Sequence, residues 1–131
     1  MSSVFVDTSF LIALLRKRDE NHHRAAAWQN ALPETVVTTE CILIELLDSL
    51  ASPLLRLAAA STVNLLRTRQ VVRVELFAEG LRLYKNYQDK SWSLTDCMSF
   101  VVMRREGITD ALTADRDFEQ AVFRALLRSA P

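Results

Sequence analysis

The sequence predicts an α/β domain: a sheet of four or five mostly parallel strands, with helices covering both faces. Three observations carry this expectation. Short β-branched apolar runs alternate along the chain with segments whose apolar residues recur at helical spacing. Only 2 Gly and 3 Pro occur in 131 residues, too few for the tight turns of an all-β chain. With 50% hydrophobic and 24% charged residues, the chain reads as one domain over 1–131 with its own core. A disordered tail and a fibre are excluded.

The elements follow in order. Val4, Phe5 and Val6 form a buried strand over 4–6 that stops at Asp7-Thr8-Ser9, a helix start. A helix over 10–18 carries Phe10, Leu11, Leu14 and Leu15 and ends in a charged run. A second helix spans 22–32, with Trp28 inside and Pro33 as its breaker. A strand over 35–38 leads to a helix capped by Thr38 or Thr39, with Leu43, Leu46, Leu47 and Leu50 as its apolar stripe. Pro53 opens a helix that runs to about residue 69, and 71–74 is the third strand. Leu76, Phe77, Gly80, Tyr84 and Tyr87 mark a further helix, and 86–93 is a polar loop. Ser93 caps the next helix, whose core face holds Met98, Val101 and Val102 and whose end is Gly107. The fourth strand lies at 111–114, a short helix surrounds Phe118, and 122–126 is a candidate fifth strand.

Two glycines cannot make a glycine-rich phosphate loop. The 16 basic and 16 acidic residues cancel, so net charge announces no nucleic-acid surface. Arg outnumbers Lys, which leaves bidentate phosphate binding open. Cys41 and Cys97 lie in no CxxC, which fits a reducing cytoplasm. No apolar run is long enough for a span, and no signal-like start is present, so a soluble cytoplasmic protein without membrane attachment is expected.

The chemistry rests on acids. Asp7 and Asp115 each fall at the carboxyl end of an expected strand, where parallel sheets bind ligands. If those strands are neighbours, both carboxylates face one crevice, and Glu45 and Asp96 can join them. Clustered carboxylates hold raised pKa values unless a cation sits among them. Oxygen-only ligands select Mg²⁺ or Mn²⁺, which can activate water against a phosphodiester. Each acid has a structural alternative. Asp7 can serve only as a helix cap, Asp96 only as the partner of Ser93 in a capping box, and Asp115 with Asp117 only as a polar cap. Glu45 lies largely opposite the leucine stripe, a solvent position.

Four stretches, taken in order, resemble the PIN domain family. Val4-Phe5-Val6-Asp7-Thr8-Ser9-Phe10 is similar to its opening motif. Thr38-Thr39 with Ile44-Glu45-Leu46 is similar to the second. Trp92-Ser93-Leu94-Thr95-Asp96-Cys97, followed by Gly107-Ile108, is similar to the third. Ala111-Leu112-Thr113-Ala114-Asp115-Arg116-Asp117-Phe118 is similar to the fourth. Within the family, the chain most resembles the VapC-type toxins of bacterial toxin–antitoxin pairs. The resemblance implies a Mg²⁺- or Mn²⁺-dependent endoribonuclease on a three-layer α/β/α sandwich. It implies Asp7, Glu45, Asp96 and Asp115 as catalytic metal ligands, Asp117 as a further ligand, and Thr8 and Ser9 as orienters of the first carboxylate. An RNA substrate, a cognate antitoxin that blocks the site and a homodimer are implied as well. One position departs: relatives often carry Gly where Val122 precedes Phe123, which implies a last turn built differently.

Other residues carry less. His22 and His23 read as surface residues at a helix start, Trp28 and Trp92 as packing residues rather than base-stacking ones. Arg16-Lys17-Arg18 and Arg104-Arg105 read as solvated faces or phosphate contacts. The helix over 54–66 is apolar around much of its circumference, which suits a partner surface or the core. Rival functions are a catalytically inactive scaffold of the same fold and another α/β phosphoryl-transfer protein. The first conflicts with intact acids at all four positions. The second lacks a second Asp two residues beyond Asp7 and any Lys after Lys90.

Overall fold

The computed structural model describes residues 2–74 and 76–131. Five strands form one sheet in the order β3-β2-β1-β4-β5. They are β1 (Ser3–Val6), β2 (Thr35–Thr39), β3 (Val71–Arg73), β4 (Asp110–Leu112) and β5 (Arg124–Ala125). Every pairing is parallel. The chain moves outward from β1 through β2 to β3, then returns to the other side of β1 for β4 and β5. The reversal falls between β1 and β4, and a ligand crevice opens at such a point, outside the strands' carboxyl ends.

The helices are α1 (Thr8–Leu15), α2 (His22–Gln29), α3 (Glu40–Ser49), α4 (Pro53–Arg69), α5 (Phe77–Asn86), α6 (Leu94–Glu106) and α7 (Arg116–Gln120). A 3₁₀ turn, Leu126–Arg128, follows β5. Right-handed crossovers in opposite directions place α1 to α4 on one face and α5 to α7 on the other. The packing agrees: α1 touches α2, α3 and α4, while α6 touches α5 and α7. The expected sandwich of parallel strands is the observed fold. Its centre holds Phe5, Phe10, Phe100, Phe118, Ile42 and Leu112, all buried. The Phe100 and Phe118 rings meet nearly edge to face, with centroids 4.9 Å apart.

Several boundaries differ from the expectation. Helix α1 starts two residues earlier, at Thr8, and stops at Leu15, because Arg16 is extended and 16–18 lie out in solvent. Helix α2 ends at Gln29 rather than at 32; Pro33 disfavours helical backbone at Leu32, which turns back against the core. Thr39, not Thr38, caps α3, accepting from Ile42 N at 3.1 Å. The stripe of α3 is Ile42, Leu43, Leu46 and Leu50, and Leu47 is exposed. Strand β3 stops before the exposed Val74. On α5 the buried face is Leu76, Gly80 and Leu83, whereas Phe77 and Tyr84 lie one residue round the wheel and face solvent. Strand β4 begins and ends earlier than 111–114, which leaves Thr113 and Ala114 free to shape the site.

Candidate active site

Asp7 follows β1, and its backbone N–H donates to Leu112 O at 3.2 Å, which ties the ends of β1 and β4 together. The side chain is buried and makes no cap bond to α1. Its Oδ2 instead accepts from the hydroxyls of Thr113 at 2.7 Å and Ser9 at 3.0 Å. The capping alternative for Asp7 therefore fails. Burial raises its pKa to about 6, with the Glu45 charge adding to the effect and the hydroxyl bonds opposing it.

Asp96 has both of its readings at once. It completes the capping box, accepting from Ser93 N at 3.2 Å while Ser93 Oγ accepts from Asp96 N at 3.0 Å. The carboxylate also faces the crevice. Burial, then the charges of Asp115 and Asp7, push its pKa up to about 7. Asp115 caps α7, with Oδ1 accepting from Asp117 N at 2.9 Å. Burial and the Asp115 charge raise the Asp117 pKa. Oxygens of Asp96, Asp115 and Asp117 all lie within 4.8 Å of one another.

Glu45 is solvent-exposed, as its wheel position predicts, yet it projects into the same crevice. The Thr8 hydroxyl donates to its Oε1. The two residues expected to orient Asp7 thus divide: Ser9 holds Asp7, and Thr8 holds Glu45. Thr113 is the residue that sequence reasoning missed. It donates to Asp7 and accepts from Asp115 N at 3.0 Å, joining two of the acids. Its sequence signals were a hydroxyl at a strand end and a place inside the fourth stretch that resembles the family.

The crevice encloses about 410 Å³ and is lined by all five acids with Thr8, Ser9, Ser49, Ser91 and Ser93. No histidine or cysteine lines it. Five carboxylates and several hydroxyls form a hard, oxygen-only donor set that fits a divalent cation of the Mg²⁺ or Mn²⁺ class. The raised pKa values of Asp7 and Asp96 point the same way, since positive charge among them would favour their ionised forms.

The remaining candidates lie outside this crevice. His22 Nδ1 is 2.7 Å from the Ala13 carbonyl. Trp28 and Trp92 are buried, and their indole N–H groups donate to Ser129 O and Gln120 Oε1. Cys41 and Cys97 are free thiols. Arg104 and Arg105 stand at the end of α6 opposite Asp96, and Arg105 pairs with Glu79. Arg16 reaches the crevice rim, donating to Ser49 O at 3.3 Å. Helix α4 buries Ala59 and Val63 against the core and exposes Leu54, Leu57 and Leu65.

Comparison with known proteins agrees with this fold. The family model of the PIN domain matches residues 4–124. The chain belongs to the PIN domain family. It is 34% identical over 128 residues to the 23S rRNA-specific endonuclease VapC20 of Mycobacterium tuberculosis, covering 92% of this chain and 95% of that one. The crystal structure of Mycobacterium tuberculosis VapC20, described as a sarcin-ricin loop cleaving toxin, superposes with a TM-score of 0.84 at 29% identity, over 93% of this chain and 97% of that one. The structure of FitAcB from Neisseria gonorrhoeae, 19% identical with a TM-score of 0.63 over 93% of this chain and 97% of that one, shares the fold. The four stretches that resemble the family's motifs are the segments that deliver the crevice carboxylates.

Proposed function

We propose that this chain is a metal-dependent endoribonuclease, one PIN domain over 1–131, and the toxin of a type II toxin–antitoxin pair. The observation that carries the reading is the convergence of Asp7, Glu45, Asp96, Asp115 and Asp117 from four separate segments into one crevice. Family membership and the VapC20 likeness support nuclease activity.

Asp7, Glu45, Asp96 and Asp115 would hold Mg²⁺ or Mn²⁺, with Asp117 beside them. The cation, when bound, supplies activated water and neutralises charge at the phosphate. The chain's own residues set the donors in place. Ser9 and Thr113 fix Asp7, Thr8 fixes Glu45, the capping box fixes Asp96, and the α7 cap fixes Asp115. Water is the nucleophile, because the crevice serines have no histidine beside them to act as a base.

VapC20 is named for cleavage of 23S rRNA, so a ribosomal RNA loop is the first substrate to test. Water attack leaves a 5′-phosphate and a 3′-hydroxyl. The test incubates RNA with and without Mn²⁺ and reads the product ends by mass spectrometry. A 2′,3′-cyclic phosphate that persists in EDTA would refute this chemistry.

The toxin acts in the cytoplasm as a homodimer, and a cognate antitoxin silences it. Among the described residues no helix is long and apolar enough to cross a membrane. An antitoxin arginine is a natural plug for the crevice, since guanidinium pairs bidentately with carboxylates. Expression of the chain alone should arrest growth, and co-expression of the upstream reading frame should restore it. A harmless chain would end the toxin reading and leave the nuclease reading standing.

A further inference from the structure

A groove of about 910 Å³ opens beside the acidic crevice, between the solvent face of α5, the 87–93 loop and the start of α6. The crevice itself, at about 410 Å³, is less than half that volume. The two adjoin, with Ser91 and Ser93 lining both. Their chemistry is opposite. Five carboxylates line the crevice, and none of the described residues lining the groove is acidic. Two of the chain's three lysines, Lys85 and Lys90, lie in the groove. Tyr84 and Tyr87 stand beside them, 51% and 39% exposed. Trp92 is buried beneath, its ring centroid 5.0 Å from that of Tyr87.

We infer that this groove is the track for the single-stranded RNA segment next to the scissile phosphate, with bases stacked on Tyr84 and Tyr87 and backbone phosphates on Lys85 and Lys90. The inference rests on the nuclease reading above. An acidic crevice repels a polyanion, and a chain of net charge +0 must gather positive charge locally to hold one beside it. Aromatic rings interleaved with cations are the usual platform for single strands, because every base offers a π-face. Helix α5 supplies part of this arrangement: Tyr84 and Lys85 lie three and four residues beyond Leu81 and share one side of the groove, which Gln88 continues from the loop. The hydrogen bond from Trp92 Nε1 to Gln120 Oε1 at 3.1 Å locks the ring under Tyr87. The acid beside Lys90 is Asp89, at 3.4 Å in an exposed pair that a phosphate displaces at little cost.

The test measures binding of a fluorescein-labelled 12-nucleotide single-stranded RNA by anisotropy, in Mg²⁺, at several salt concentrations. The Asp96→Asn chain serves as background to limit cleavage. Lys85→Gln with Lys90→Gln should weaken binding and flatten the plot of log affinity against log salt by about 1.4, at about 0.7 per phosphate contact. Tyr84→Ala with Tyr87→Leu should weaken binding at least about 10-fold and leave that slope unchanged. In the chain with Asp96 intact, the same groove variants should keep the melting temperature and its Mn²⁺-induced rise, which reports an intact fold and crevice. Variants that bind RNA as tightly as their background, or a background that binds none, overturn the inference. So does a change of oligomeric state with RNA affinity unchanged, which marks the groove as a protein interface. RNA that is bound through the groove but never cut counts against the nuclease reading alone.

Discussion

Asp96 closes the capping box of α6 and presents a carboxylate to the crevice, and one substitution separates the two roles. At this N3 position the amide oxygen of Asn can still accept from Ser93 N, so Asp96→Asn should fold, with a melting temperature near or above that of the parent. Cleavage should fall at least about 100-fold, since a charged donor is lost from the metal set. His22→Ala and Cys97→Ser, both outside the crevice, should keep cleavage within a few-fold. Equal cleavage by parent and Asp96→Asn would move the chemistry elsewhere. The positions of Asp7 and Asp115 were legible because a strand end is a place in a parallel sheet. Glu45 was not legible from its helix, because a wheel separates core from solvent but not crevice from bulk water. Thr113 was hidden for a different reason: its contact with Asp7 spans 106 residues and exists only once β1 pairs with β4. Val122 is a further case. It takes φ 72 with 87% exposure. The turn takes the left-handed backbone that Gly adopts freely, and a β-branched side chain bears the strain. Val122→Gly should therefore stabilise the fold by about 1 kcal/mol, read as a raised midpoint in urea. A lower midpoint would show that the strain is repaid by packing.

At the scale of elements, the alternation of strand and helix was legible because each element must bury one face. The ends were less so. Helix α1 stops where Arg16 turns extended, and nothing in the apolar spacing marks that residue. Helix α5 shows what periodicity leaves open. Its sequence holds two apolar rows one residue apart, and only the partner helix decides which is buried. Gly80 makes that choice: a Cβ there would lie 2.4 Å from Met98 Cγ and 3.4 Å from Met98 Cα, so α6 leaves no room for a side chain at this point of α5. The row with Leu76, Gly80 and Leu83 turns inward, and Tyr84 is left on the groove side. Ala in place of a helical Gly is ordinarily worth about 1 kcal/mol of added stability. Here overpacking outweighs that gain, and Gly80→Ala should destabilise by about 1–3 kcal/mol. Chemical denaturation measures it, and a stabilised Gly80→Ala would show that Met98 moves aside freely.

For the whole molecule, the acidic crevice couples folding to pH and to metal. Asp7 and Asp96 hold pKa values of about 6 and about 7 in the fold, against 3.8 for the ordinary side chain, mainly because burial disfavours their charged forms. Below about pH 4 both the folded and the unfolded chain keep these protons, and the pair does not discriminate between them. As pH rises the unfolded chain gives up its protons first, while the folded chain still holds them. Stability therefore falls from about pH 4 until the folded carboxyls have also ionised, at about pH 7 to 8. In EDTA the melting temperature should drop between pH 5 and pH 8 and then level off. The double variant Asp7→Asn with Asp96→Asn carries no such charges and should show a flatter profile, with the larger advantage over the parent at pH 8. Mn²⁺ binds the ionised acids of the folded chain and stabilises that state alone. Its effect on the parent should thus be large at pH 8, small at pH 5, and lost in the double variant. Differential scanning fluorimetry across pH, with and without Mn²⁺, reads all three arms. A parent profile in EDTA that stays as flat as that of the double variant would remove the burial account of these acids. A Mn²⁺ shift of equal size in both chains would place the cation outside the crevice.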